Sequence, residues 1–241
     1  MKVQYFGDIN DYRKFALLRL LSEVGGFKFG VCWMRTEADG STQGAKREHL
    51  RDPAKWRRYD PELFDALSGV SAQPTLEDLQ RVERDRLIPG ADYFEGLVPG
   101  ALEGRKRFHR DSIAALAGTE LVFFDPDNGL EIRSCPKGRK GSSKYLFLDE
   151  LDDHYRSGRS ALIYQQFPRS KRPAFVTKVV NQLIKELPGV SIWSLTTAHV
   201  VFLLAAKLKH TARVAVVAET INKKGWTPEF GRATYGTHRL I

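Results

Sequence analysis

Leu121-Val-Phe-Phe-Asp-Pro-Asp-Asn-Gly-Leu-Glu131 is the stretch from which the rest of the chain can be ordered. The apolar run 121–124 is too short for a helix and has the length and residue types of a buried strand. It stops at Asp125-Pro126, where a residue without a backbone N–H ends pairing within a sheet. In an open α/β sheet, ligands bind just beyond the carboxyl ends of the strands. Asp125, Asp127 and Asn128 are therefore candidate functional groups. A plain turn also accounts for Pro-Asp-Asn-Gly, since all four residues favour turns. That alternative leaves unexplained why a carboxylate follows the buried run at once, with a second carboxylate and an amide close behind.

Downstream, Lys137-Gly-Arg-Lys-Gly-Ser-Ser-Lys144 is a basic run suited to phosphate or to solvent. Leu148, Leu151 and Tyr155 have helical spacing, and Ala161-Leu-Ile-Tyr-Gln165 is expected to be a strand ending in Gln165, Gln166, Phe167, Pro168 and Arg169. The interval between it and residues 121–124 has room for a right-handed crossover, so the two should be adjacent and parallel. A helix is expected over 175–187, stopped by Pro188-Gly189, and a strand over 190–195. Residues 200–204 and 214–217 are expected as an antiparallel pair at the sheet edge, since few residues separate them.

Upstream, Phe15, Leu17, Leu18, Leu20 and Leu21 make the apolar face of a first helix capped by Asp8 or Asn10 and ended by Gly25-Gly26. Asp8, Asp11, Tyr12 and Lys14 form its polar side. Residues 29–34 read as a strand, followed by the polar, glycine-bearing loop 35–44, which suits either a nucleotide-like ligand or a bare surface. Residues 46–104 turn to charges and prolines, with helical patterns at 61–67 and 76–87, and are expected to be a helical insertion or lid. Arg81 and Arg84 lie on its surface. Arg107-Phe-His-Arg-Asp111 precedes a short helix at 112–117.

The 241 residues carry a net charge of +9 with a pI near 9.6, which favours a polyanionic partner, RNA or DNA. The cysteines Cys32 and Cys135 are far apart and make no metal-type pair, and no apolar run approaches a membrane span, so a cytoplasmic protein is expected.

Strands alternating with helices over residues 1–241 argue for a single three-layer α/β domain of Rossmann-like type. At this point Asp125-Pro126-Asp127-Asn128-Gly129-Leu130 resembles the Asp-Pro-Pro-aromatic motif of the methyltransferases that modify exocyclic amino groups of nucleic-acid bases. The similarity is nearest to the RlmJ-like ribosomal RNA adenine methyltransferases. Gly7-Asp8, Asn10-Asp11-Tyr12-Arg13-Lys14 and Ala114-Ala115-Leu116 also resemble pieces of that family. The resemblance implies a class I methyltransferase-like sheet and S-adenosylmethionine as cofactor. It further implies that Asp125 and the Pro126 carbonyl accept hydrogen bonds from the target amino group, with Asp127 and Asn128 in the motif's third and fourth places. Asp8, Asp11, Lys14, Asp39, Gly40 and Asp111 would serve the cofactor. Arg81, Arg84, Lys137, Arg139, Lys140, Lys144, Gln165 and Arg169 would serve nucleic acid. Asn128 stands in place of the motif's aromatic residue. On this reading Asp125 stands at the mouth of a pocket and is dispensable for stability.

Two alternatives remain open on the residues alone. Asp125, Asp127 and Glu131, with Lys144 nearby, would hold magnesium in a nuclease. A non-catalytic nucleic-acid-binding protein on the same scaffold would equally satisfy the charge.

Overall fold

The computed structural model describes residues 1–38, 46–226 and 232–236. Helix α1 (Ile9–Glu23) begins where Asp8 accepts hydrogen bonds from the Asn10 and Asp11 amides, satisfying donors that have no partner in the first turn. Strand β1 (Phe29–Cys32) follows. Helices α2 (Pro53–Trp56), α3 (Pro61–Ser68) and α4 (Leu76–Arg84) lead to strand β2 (Ala91–Phe94), and helix α5 (Leu102–Ala115) leads to β3 (Leu121–Phe124). Residues 46–104 thus contain a strand of the main sheet as well as helices. Helix α5 also takes in residues 107–111, which the sequence reading left outside its short helix.

Two short strands, β4 (Gly129–Leu130) and β5 (Tyr145–Leu146), pair beside the main sheet, and α6 (Leu148–Arg156) leads into β6 (Ser160–Gln166). The chain then passes through α7 (Arg172–Glu186), β7 (Ser191–Thr196), β8 (Val200–Ala206), α8 (Thr211–Lys223) and β9 (Arg232–Gly236). The seven-stranded sheet has the order β2-β1-β3-β6-β8-β7-β9. Its β2, β1, β3 and β6 run parallel, and β8 is antiparallel to both β6 and β7. Leu121 to Phe124 register against Ser160 to Ile163 as adjacent parallel partners, as expected.

Strands β1 and β3 are buried along their whole length. Alternate residues supply the two faces: Leu121 and Phe123 join a cluster with Phe15, Leu18 and Val217, while Val122 and Phe124 join one with Leu151, Val179 and Leu183. Helices therefore cover both faces, the condition for a sheet whose central strands read as continuous apolar runs. The expectation of a strand at 214–217 was wrong. Val214, Val217, Ala218 and Ile221 bury one side of α8 at helical spacing, and β8 takes its antiparallel partners from β6 and β7 instead. Among the described residues, no helix is long and apolar enough to cross a membrane.

Candidate functional site

From β1 the chain crosses to β2 on one side, and β3 later pairs on the other. The strand order therefore reverses between β1 and β3, and a crevice outside the carboxyl ends of these two strands is the favoured ligand position in such sheets. Helix α1 precedes β1 and runs back along the sheet, which puts its amino-terminal turn at the same end. A cavity of about 690 Å³ lies there, lined by Asp8, Asp11, Lys14, Asp125, Pro126 and Asn128 among others. That volume suits a small molecule or one nucleoside-sized group.

Lys14 is the centre of the floor. Its ammonium lies 2.6 Å from Asp11 Oδ1 and 2.7 Å from Asp125 Oδ2, and only 2% of its side chain is exposed. The Phe15, Trp33 and Phe123 rings face it at 5.0, 5.4 and 6.0 Å, adding cation–π attraction. Burial opposes the charge on Lys14, but Asp11 and Asp125 outweigh it and hold the ammonium's pKa above the ordinary value. The carboxyls around it answer to burial as well as to its charge. Burial, and after it repulsion from Asp11, pushes the Asp8 carboxyl up to about 7. Burial also raises Asp11, against the pull of Lys14. Tyr164, on the opposite wall, is raised well above its ordinary value by burial and by Asp8, Asp125 and Asp11.

Asp127 forms a second charged centre. It accepts a hydrogen bond from Thr36 Oγ1 and lies 3.0 Å from the Met1 α-ammonium. That ammonium also donates to the carbonyls of Trp33, Met34 and Asp125, at 3.3, 2.8 and 2.7 Å. Carbonyls from the ends of β1 and β3 thus join a carboxylate to make a cage for a primary ammonium. Met34 holds a left-handed backbone with φ of 46°, a strained conformation for a residue with a side chain, at the turn out of β1.

Gln165 does not line this cleft. It is buried behind the loop, where its Oε1 accepts from Leu130 N at 2.8 Å and its Nε2 donates to the Asn128 and Gln166 carbonyls. Side chains alternate along a strand, so Gln166 reaches the cleft instead.

Asp8, Asp11, Lys14, Asp125, Pro126, Asp127, Asn128 and Lys144 share the one cleft. Asp111 does not. It is half exposed on α5, beside Arg110 at 3.7 Å, because α5 directs that position to solvent. Asp125 is also corrected: it borders the cavity but is 3% exposed and ion-paired, and does not stand free at its mouth. Asp39 and Gly40 lie outside the described residues. Arg81 and Arg84 on α4 both pair with Asp85 at its carboxyl end, at 3.3 and 3.1 Å, and do not line the cleft. Lys137 is held by Asp149 and Glu150 at 2.5 and 3.4 Å, and Arg139 donates to the Ser134 carbonyl. Lys140 and Arg169 are exposed and do not line the cleft.

The magnesium set is not assembled. Glu131 accepts from Leu148 N at the start of α6, and Asp125 and Asp127 are turned to cations. Among the described residues, no group of three His, Cys, Asp or Glu side chains is placed to hold a metal ion.

Several lining residues were missed, among them Met1, Lys2, Lys46 and His199. His199 sits in the reversal between β7 and β8, its pKa lowered by burial and by Lys46, Arg13 and Arg172. Only the antiparallel return of β8 brings it to the cleft, and no local pattern signals that return. Comparison with protein-family profiles, with curated proteins and with solved structures finds no match.

Proposed function

We propose that this chain is an S-adenosylmethionine-dependent methyltransferase acting on a base amino group of RNA or DNA. The observation that carries the reading is the position of the Asp125-Pro126-Asp127-Asn128 loop. It leaves β3 at the reversal of strand order and borders a cavity whose floor carries the buried carboxyls of Asp8, Asp11 and Asp125 around Lys14. The buried Asp8 and Asp11 carboxyls on the floor would accept hydrogen bonds from a ligand's donors. When bound, S-adenosylmethionine would supply an electrophilic methyl group on a positively charged sulfur. The residues of the chain would position and desolvate the acceptor. The Pro126 carbonyl and the Asn128 side chain, both in the lining, would accept from an amino group and leave its nitrogen lone pair free for in-line attack. Asp125 holds Lys14, and through it the floor, and acts on the acceptor through that position.

The magnesium nuclease is disfavoured because its three carboxylates point to separate partners. A non-catalytic nucleic-acid-binding protein is separated by a ligand test, since a ligand bound only by the folded state raises the melting temperature. S-adenosylmethionine at about 100 times its Kd should stabilise the chain by about 2.7 kcal/mol, and magnesium should not. Transfer of a labelled methyl group to single-stranded RNA should accompany it and be lost in Asn128→Ala. No melting shift with S-adenosylmethionine, or a shift with magnesium alone, sinks the reading.

A further inference from the structure

A second cavity, of about 280 Å³, opens beside the main cleft and shares Asn128, Gln166 and Phe167 with it. Its chemistry differs. Tyr145, Phe167 and Phe175 supply aromatic rings, Leu130 and Val179 an apolar wall, and Gln182 an amide; its one carboxylate, Glu131, is engaged by Leu148 N. Phe167 and Phe175 meet nearly edge to face, with centroids 6.0 Å apart at 72°, and the Arg172 guanidinium lies 5.4 Å over the Phe167 ring.

The surface beside this slot is strongly basic. Residues 165–185 contain Arg169, Lys171, Arg172, Lys178 and Lys185 and no Asp or Glu. Arg169, Lys171, Arg172 and Lys178 are exposed, and Lys178 lines the cavity itself. The first turn of α7 has no acidic residue, so the positive end of the helix dipole adds to the same field. An aromatic slot bordered by cations matches a ligand that is a flat ring on one side and a phosphodiester on the other. Aromatic side chains stack on bases without demanding a sequence, while lysine and arginine track the backbone.

We propose that the second cavity is a subsite for one unpaired base of a single-stranded nucleic acid, whose phosphates lie along residues 169–178. The shared wall makes this base a neighbour of the group entering the main cleft, so the slot reads a flanking nucleotide. The inference rests on nucleic acid being the partner and is independent of methyl transfer. Duplexes are excluded, because their bases are stacked and paired and cannot turn into the slot.

The test is polarisation of a fluorescein-labelled single-stranded 12-nucleotide RNA on the full chain at low salt. Phe175→Ala and the milder Phe175→Leu should weaken binding about tenfold, the loss expected for one stacked base, with an unchanged salt dependence. Arg172→Ala with Lys178→Ala should reduce the salt slope by about one to two. Unlabelled duplex of the same sequence should compete at least about tenfold less well than the single strand. Melting curves identify a variant that fails to fold, and Phe175→Leu, which preserves apolar volume, then decides. Wild-type affinity in the Phe175→Leu variant, equal competition by duplex, or no RNA bound at low salt overturns the proposal. A missing melting shift with S-adenosylmethionine, alongside the expected RNA results, overturns the methyltransferase reading and leaves the subsite standing.

Discussion

Lys14 ties the stability of the molecule to its candidate site. Its ammonium is buried between Asp11 and Asp125 and pairs with both. Removing one partner of a buried pair leaves a charge without its counterpart, which costs about 3–5 kcal/mol. Asp125→Ala should therefore lower stability by about 3 kcal/mol in urea denaturation, the lower end, because Asp11 still holds Lys14. An unchanged denaturation midpoint would show that the pair contributes nothing net. Asp8 carries the opposite sign. Its folded pKa, about 7, lies above the ordinary 3.8, so its contribution to stability is full below pH 3.8 and is lost as pH rises through 7. Asparagine caps a helix as well as aspartate and carries no charge. Asp8→Asn should thus match the parent near pH 4 and exceed it near pH 8 by up to about 4 kcal/mol. Equal stabilities at pH 8 would mean that the carboxylate is solvated there.

At the scale of the element, the loop from Asp125 to Gly129 is held by Gln165 rather than by its own turn. Gly129 has φ of +100°, and a Cβ there would lie 2.3 Å from the Gln165 side chain. Gln165 cannot retreat without losing its bond to Leu130 N. Gly129→Ala should cost about 2–4 kcal/mol, the sum of backbone strain and a lost buried hydrogen bond. Adding Gln165→Ala should recover part of that loss, since the two changes share one contact. A strictly additive double variant would place the strain elsewhere. Strands β1, β3 and β6 were legible because strands covered on both faces must be apolar throughout. Strand β2 was not legible, because Ala91-Asp-Tyr-Phe94 has one neighbour and no continuous apolar run. Valines at 214, 216 and 217 suggested a strand, and only the burial of 214, 217, 218 and 221 together reveals the helix. The loop after β3 and the polar side of α1 were each visible as chemistry. Their meeting through Lys14 and Asp125, 111 residues apart, depends on the packing of α1 beside β3 and has no local signature.

The whole molecule separates two kinds of charge. The net +9 is carried on exposed groups such as Lys140, Arg169, Lys171 and Arg172, while the acidic groups of the main cleft are buried around Lys14. Exposed charges are screened over about 10 Å at 0.1 M salt, and buried ones much less. Two ligands should therefore answer differently to the same change of salt. Single-stranded RNA that neutralises about six of these cations should lose roughly three hundred- to a thousandfold in affinity between 50 and 200 mM salt. S-adenosylmethionine, bound against the buried floor, should change by less than about threefold over that range, measured by calorimetry on the same preparation. A steep salt dependence for the small ligand would move its site to the basic surface. RNA binding that ignores salt would leave the +9 as a matter of solubility, because no contact with phosphate escapes counterion release.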